Sequence, residues 1–474
     1  MATTIVDSLQ NCPPLEKSVV RFILLASLDQ LDGAAKAGLG RLIRDQIALE
    51  IGTSQMPWSR QLLEYAKVHA RAGISRVVAS SLTMSPTDAA FVNASYGHGF
   101  EYDDAHARSY SHPGSCVIPA AFAIGQELDS TLGEVLTAIV AGYEVYTRIG
   151  LLLAPDLLQR GYHPHAVLSN FGAAAVAAKL RGFDAENTLH ALAIATSHVS
   201  GITEFSSTGG SIKRVHAGMG TRNGMVAADL AKAGITGPRA FLSGNKGLFK
   251  TFLQRAPAES AQDRFALDMP FEIATVWLKN YCACYCSHAY IDAMRPFSER
   301  LADIEKVELR ISPTFNVIVG NVNANAYAPK NIEHVQYSLP TQAAFALHGL
   351  GNGYRAHRDY MAGKVDMDSV MATMRRITIV ESPELDQKYP GQYVADATVT
   401  LRDGTSQKVF VDNAIGTEKN PMSEAAQDAK FMELTIDVLG PAAGQQLLAT
   451  LRALDHRITA AQVMAQCALP LSAV

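Results

Sequence analysis

Cysteine and tryptophan are scarce in this chain: six and two residues in 474. Cys12, Cys116, Cys282, Cys284, Cys286 and Cys467 are too sparse for the disulfide framework of a small secreted scaffold. Three of them alternate in one short stretch, a spacing more typical of reduced thiols. An excess of one charge is also missing, since 41 Lys and Arg face 45 Asp and Glu for a net charge of −4. With no block of like charge, neither nucleic acid nor an anionic membrane surface is expected as the main partner. Positive charge, if used, is used locally. The chain does not open on a basic segment followed by an apolar run, and the apolar stretch 136–145 is broken by Gly142 and Glu144 and is short for a bilayer. A cytoplasmic location is therefore expected. No Gly-x-x-x-x-Gly-Lys-Ser/Thr loop, no Gly-x-Gly-x-x-Gly after a strand and no His-Glu-x-x-His occurs, so phosphate-loop, dinucleotide and zincin chemistry lack their signatures. Internal repeats and low-complexity tracts are absent too.

What is present is a long, ordinary globular composition, with 48% hydrophobic and 18% charged residues. A chain of this length needs two or more core units. From residue 15 to about 255 the hydrophobic period is helical. Segments 133–153, 166–180, 185–196 and 220–232 carry small and apolar residues at three- and four-residue spacing, separated by Gly and Pro breakers. Near residue 270 the pattern changes. Segments 307–312 and 376–380 alternate apolar and polar residues as half-buried strands do, and 395–401 and 407–411 flank Asp403-Gly404, a tight-turn signal. Helical periodicity returns at 424–438 and 441–454. The predicted fold is mainly α: a helical domain over 1–270, an α+β domain over 271–418, and C-terminal helices over 419–474 that return to the helical domain, which makes the α+β part an insertion.

Chemistry-bearing residues collect in a few loops. Phe100-Glu-Tyr-Asp-Asp-Ala-His106-Ala-Arg-Ser-Tyr-Ser-His112-Pro-Gly114 puts three carboxylates, two imidazoles and an arginine within a dozen residues, just before an apolar helix. Imidazole titrates near neutrality, so a positioned His can take or give a proton at working pH. The same stretch also reads as a solvated loop with an Asp helix cap, or as a hydrolytic metal site built from Asp103, Asp104, His106 and His112. Arg160-Gly-Tyr-His163-Pro-His165 puts histidine at a helix entry. Gly209-Gly-Ser-Ile-Lys213-Arg214-Val-His216-Ala-Gly218 leads two cations and a histidine out of a glycine pair, suited to holding an anion or to a solvated basic turn. Lys279-Asn-Tyr281-Cys-Ala-Cys284-Tyr-Cys286-Ser-His288 would point alternate cysteines one way on a strand, as buried small hydrophobes rather than a zinc knuckle. Val335-Gln-Tyr337-Ser-Leu-Pro340 offers one tyrosine hydroxyl.

Taken in order, these loops resemble the MmgE/PrpD family, which includes 2-methylcitrate dehydratases, cis-aconitate decarboxylases and iminodisuccinate epimerases. The landmarks are Asn93-Ala-Ser, Glu101-Tyr-Asp-Asp-Ala-His106, His112-Pro, Gly161-Tyr-His163, Lys213-Arg-Val-His216-Ala-Gly, Arg222-Asn-Gly, Gly247-Leu-Phe, Lys279-x-Tyr-x-x-Cys284 with His288, Gln336-Tyr337-Ser-Leu-Pro, and Gly416 followed by Asn420-Pro-Met-Ser. The resemblance covers nearly the whole chain. It implies a homodimeric enzyme without metal or organic cofactor, acting on a small carboxylate at a site between the helical domain and an α+β lid. By position it implies catalytic roles for His112, Asp104, His163, Lys213 and Tyr337. Lys279 is implied as a substrate contact, and Arg214, His216, His106 and Cys284, in the same loops, are expected as further contacts. His112 would be the proton carrier and Asp104 its partner. Two positions depart from the decarboxylase pattern: Ala105 stands where those enzymes carry Thr, and Cys284 where they carry His. The Asn-Asp-Thr-Trp loop of 2-methylcitrate dehydratases is absent as well. Dehydration, decarboxylation and epimerisation all make or capture a carbanion beside a carboxylate, so the residues alone leave the reaction open. A catalytically silent binding relative is the alternative from another class.

Overall fold

The structure, a computed structural model, describes residues 9–205 and 209–469. The chain divides into two compact units: Met1–Val276 with Gln427–Val474, and Trp277–Ala426. The division points lie a few residues beyond those expected at 270 and 418.

The first unit is helical. Its central helices are Pro86–His98, Gly114–Glu127, Leu132–Leu153, Pro164–Leu180, Ala185–Thr196 and Lys213–Lys232, and they pack on one another. Their small residues are the reason. Added methyl groups at Gly218, Gly220 and Gly224 would fall 2.1–2.4 Å from atoms of Ser95, Ser169 and Asn170, so these backbones touch through glycine. The helices Pro441–Ala453 and Ala460–Ala465 complete the unit, packing on Gly33–Thr53 and Gly114–Glu127 respectively. A two-stranded ribbon, β1 (Ser75–Arg76) with β2 (Thr83–Met84), is a minor element.

Two sequence expectations change here. The Leu132–Leu153 helix is longer than its apolar stretch and reaches membrane-spanning length and composition, yet 83% of its most apolar window is buried in protein, as in a core helix. The helix expected from Gly220 begins at Lys213, so Lys213, Arg214 and His216 ride its first turns rather than a loop.

The second unit holds a four-stranded sheet in the order β4-β3-β5-β6, formed by β3 (Ile304–Ile311), β4 (Ile377–Glu381), β5 (Ala395–Leu401) and β6 (Ser406–Val411). β3 and β4 are parallel, joined through the helices between them, and the other pairings are antiparallel. β5 alternates buried and half-buried residues along its length, the pattern that marked it in sequence. Its hairpin to β6 turns at Gly404, with φ +85°, while the Asp403 carboxylate accepts from the Thr405 N–H at 2.9 Å. β3 starts earlier than its alternation suggests, because Ile304 pairs with Leu401 beyond an irregularity at Lys306. The cysteine stretch is not a strand. It forms turns and a short 3-10 helix, Tyr285–Ser287, with Cys282 and Cys286 buried.

Candidate functional site

In the helical unit the residues after the Pro86–His98 helix turn back into the protein. Glu101 takes φ +56°, a left-handed conformation that costs a non-glycine residue roughly 1–2 kcal/mol. The turn buries Asp103 and Asp104 against the start of the Gly114–Glu127 helix. Both oxygens of Asp104 accept from the Gly114 N–H at 3.1 Å, and Oδ2 also accepts from the Tyr143 hydroxyl at 2.8 Å. Only glycine permits this, since a Cβ at 114 would lie 2.7 Å from Asp104 Oδ2. Burial first, and the neighbouring Asp103 charge second, hold the Asp104 carboxyl well above the usual carboxylate range, against the pull of its hydrogen bonds.

His112 is the partly exposed member of a group of five imidazoles. Around it stand His98, His163, His165 and His216, all buried. Ring centroids lie 5.4 Å from His112 to His98, 5.7 Å from His112 to His165, 4.3 Å from His98 to His165 and 5.1 Å from His163 to His216. His112 Nδ1 lies 2.6 Å from the Asp104 backbone carbonyl. A carbonyl only accepts, so Nδ1 carries the proton and Nε2 is the basic nitrogen of neutral His112. This corrects one expectation. Asp104 holds His112 through its main chain, whereas its carboxylate belongs to Gly114 and Tyr143. The carboxylate nearer His112 is that of Asp103, 3.7 Å from Nδ1, and the other oxygen of Asp103 meets His98 Nδ1 at 2.7 Å.

The remaining histidines are tied into the same network. His165 meets the Tyr146 hydroxyl at 2.6 Å and Ser115 Oγ at 3.3 Å. His163 and His216 meet Nδ1 to Nδ1 at 2.9 Å, which requires one donor and one lone pair, so the two cannot both be charged and keep that bond. Burial, with neighbouring positive or imidazole charge next, pushes His98, His163 and His165 well below their ordinary value, and His216 down to about 4.

A linkage prediction follows for His216. Its folded value lies below its unfolded one, so its contribution to stability is complete above pH 6.5 and is lost as pH falls from 6.5 toward 4. Replacing it with Asn removes that liability. In urea unfolding, the stability difference between the wild type and His216→Asn is therefore expected to shift in the variant's favour on going from pH 7 to pH 5. A difference that does not change with pH contradicts the placement of this ring.

The other expected residues fall in several places. Lys213 Nζ pairs with the Glu101 carboxylate, and its charge reaches His98 and His216. Arg214, expected as a substrate contact, is buried, stacks 3.5 Å over the Trp58 ring and donates to the Gly99 carbonyl. These contacts brace the helix start against the loop. His106, also expected as a contact, spends both ring nitrogens on Ser109 at 2.7 Å and Glu272 at 3.3 Å. Lys279, Cys284 and Tyr337 belong to the second unit. Lys279 is buried there, and the Cys284 N–H donates to the Gln336 carbonyl at 2.9 Å, which brings Cys284 beside the Tyr337 segment. The four residues of the metal reading are dispersed among different partners. Among the described residues no group of three or more His, Cys, Asp or Glu could hold a metal ion.

Sequence reasoning missed His98 and His165 as members of the group and undervalued Asp103. His165 stood in the quoted His163-Pro-His165 segment. His98 carried no local signal beyond its position five residues before Asp103, at the end of a helix.

A helical unit that surrounds one partly exposed imidazole with buried imidazoles and two carboxylates has the parts of a general acid–base site. Comparison with known proteins gives the class its name. The family model of the MmgE/PrpD N-terminal domain matches residues 17–261 and that of the C-terminal domain matches residues 281–456, so the chain belongs to the MmgE/PrpD family. It is 26% identical over 402 residues to the cis-aconitate decarboxylase of Aspergillus terreus (strain NIH 2624 / FGSC A1156), covering 80% of this chain and 81% of that one. It is 26% identical over 423 residues to the cis-aconitate decarboxylase-like protein oryM of Aspergillus oryzae (strain ATCC 42149 / RIB 40), covering 84% and 86%. To the cis-aconitate decarboxylase of Mus musculus it is 24% identical over 410 residues, covering 82% and 80%.

Proposed function

We propose that this protein is a cofactor-independent lyase that acts on a small di- or tricarboxylate by moving a proton at the carbon beside a carboxylate, and that cis-aconitate is the first substrate to test. The observation that carries the reading is the fixed tautomer of His112. Its Nδ1–H is committed to the Asp104 carbonyl, which leaves Nε2 as the nitrogen that accepts or returns a proton. The relatives named for cis-aconitate decarboxylation support the substrate class, and each aligns over about four-fifths of this chain.

In a decarboxylation the carbon–carbon bond to the leaving carboxylate breaks and carbon dioxide departs. The electron pair stays on the carbon conjugated with a second carboxylate. Protonated His112 then delivers its Nε2 proton to that carbon and returns to the neutral form. Lys213, set beside Glu101, neutralises a substrate carboxylate and the charge that spreads onto it. His163 and His216, which share a single hydrogen bond and stay neutral, offer an Nε2–H as a hydrogen-bond donor to a substrate oxygen. Dehydration and epimerisation use the same carbanion with a different partner, hydroxide leaving in one and a proton returning to the opposite face in the other.

The test is incubation of the purified, metal-chelated protein with a panel of di- and tricarboxylates in deuterated water, followed by NMR. Carbon dioxide release with one deuterium on the product carbon supports the decarboxylase. Water loss or simple exchange assigns the dehydratase or epimerase. No turnover and no exchange with any panel member defeats the lyase reading and favours a silent binding relative, and activity that returns only with added metal defeats cofactor independence.

A further inference from the structure

Asp103 is 1% exposed, and its two oxygens stand in different situations. Oδ2 accepts from His98 Nδ1 at 2.7 Å. Oδ1 is buried without a hydrogen-bond partner and lies 3.7 Å from His112 Nδ1. His98 is also fully buried, its Nε2 has no hydrogen-bond partner, and its ring packs 4.3 Å from that of His165. An orphaned carboxylate oxygen in the interior is costly, and native structures keep few of them. One change of state compensates it. When His112 takes a proton at Nε2 the ring becomes a cation, and the Oδ1 charge then faces a positive ring 3.7 Å away.

We propose that Asp103 and His98 are positioning residues for His112: Asp103 stabilises the imidazolium that forms when His112 accepts a proton, and the His98 Nδ1–H aims the Asp103 carboxylate at it. This rests on His112 as the proton carrier of the proposed reaction. The order of the groups is imidazole, carboxylate, imidazole, with Asp103 in the middle. His98 itself stays neutral. Burial, and then the charges of Lys213 and His112, disfavour its protonated form, so it serves as a donor and not as a second carrier. The other charged or titratable groups near His112 are Asp104, Tyr146, His163 and His165. Asp104 is occupied by Gly114 and Tyr143, and the two histidines hold their rings in bonds to His216, Tyr146 and Ser115.

Two readouts test this. In 15N-histidine NMR of the wild-type protein, His98 is expected to keep its proton on Nδ1 throughout the titration of His112, and a His98 Nε2–H tautomer overturns the proposal. In Asp103→Asn, His112 is expected to lose proton affinity tenfold or more, by a clearly larger factor than in Asp104→Asn. Unchanged affinity overturns it. The second readout is turnover. His98→Leu is expected to lower kcat at least tenfold with little change in KM. His98→Asn, whose amide N–H can stand in for Nδ1–H, is expected to recover most of that loss. Equal activity in the two His98 variants overturns the proposal. The NMR arm needs no substrate, so an intact Asp103–His112 coupling in a protein that turns over nothing refutes the reaction and not the pairing.

Discussion

His112→Ala is expected to lower kcat by roughly 10²–10⁴-fold while leaving the protein folded, the loss associated with removing a general acid or base. Both halves of the expectation come from the geometry. His112 is the one imidazole of the five that is not buried, so a substrate can reach it and the core hardly depends on its bulk. Its Nδ1 hydrogen bond to the Asp104 carbonyl fixes which nitrogen does the chemistry. The buried neighbours cannot replace it, because burial disfavours their charged forms and their bonds hold them in place. The check is steady-state kinetics on whichever panel compound is turned over, together with deuterium incorporation and a urea unfolding curve. Near-normal turnover in a folded variant removes His112 from the mechanism. A collapse of stability assigns it a structural role instead.

Lys430→Met is expected to be the most destabilising of the substitutions considered, by roughly 3–5 kcal/mol, the cost of leaving one member of a buried ion pair alone. Lys430 is 4% exposed. Its Nζ lies 2.7 Å from Asp45 Oδ1, donates to the Tyr102 carbonyl at 3.0 Å and sits 3.9 Å from the centre of the Tyr102 ring. Burial already raises the Asp45 carboxyl, with Lys430 the main opposing influence, so its removal raises Asp45 further. The sign of the pH dependence follows. Asp45 then has a folded value above its unfolded value of 3.8, so the cost is smallest below that pH, where both states are protonated, grows as pH rises from there toward the folded value, and levels off above it. Unfolding followed through Trp58 in a Trp277→Phe background reports on the helical unit. A loss under about 1 kcal/mol at pH 7, or a loss independent of pH, contradicts the picture. Lys430→Met combined with Asp45→Leu is expected to recover most of the stability, because an apolar pair of similar volume needs no charge compensation. Since Tyr102 directly precedes Asp103, the single variant is also expected to lose activity.

Much of the helical unit was legible in the sequence because its helices are long and strongly periodic. Segment 185–196 was found with its observed ends, and 133–153 and 166–180 within two residues of theirs. The first turns of the Lys213–Lys232 helix were not legible, because Lys213, Arg214 and His216 interrupt the apolar pattern with charge. Their polarity is satisfied across the unit, by Glu101, Gly99 and His163, partners that no local window contains. The cysteine stretch misled for the opposite reason: alternation of small residues suggested a strand where side-chain and backbone contacts with Gln336 hold turns.

The sequence by itself determined the helical and α+β parts of the chain, the Asp-Gly hairpin and the family, all properties carried by periodicity, turn chemistry and the order of short motifs. It also placed the acidic-histidine loop among the candidates for catalysis. Only the tertiary structure decided how labour is divided there. Asp104 reaches His112 through a carbonyl while its carboxylate serves Gly114 and Tyr143. Asp103 stands between two imidazoles, and His98 and His165 join from other helices. Hydrogen bonds are directional and act over about 3 Å, so which of two adjacent carboxylates faces a given ring depends on one turn of backbone at Glu101 and on helices tens of residues away. No spacing along the chain records that choice.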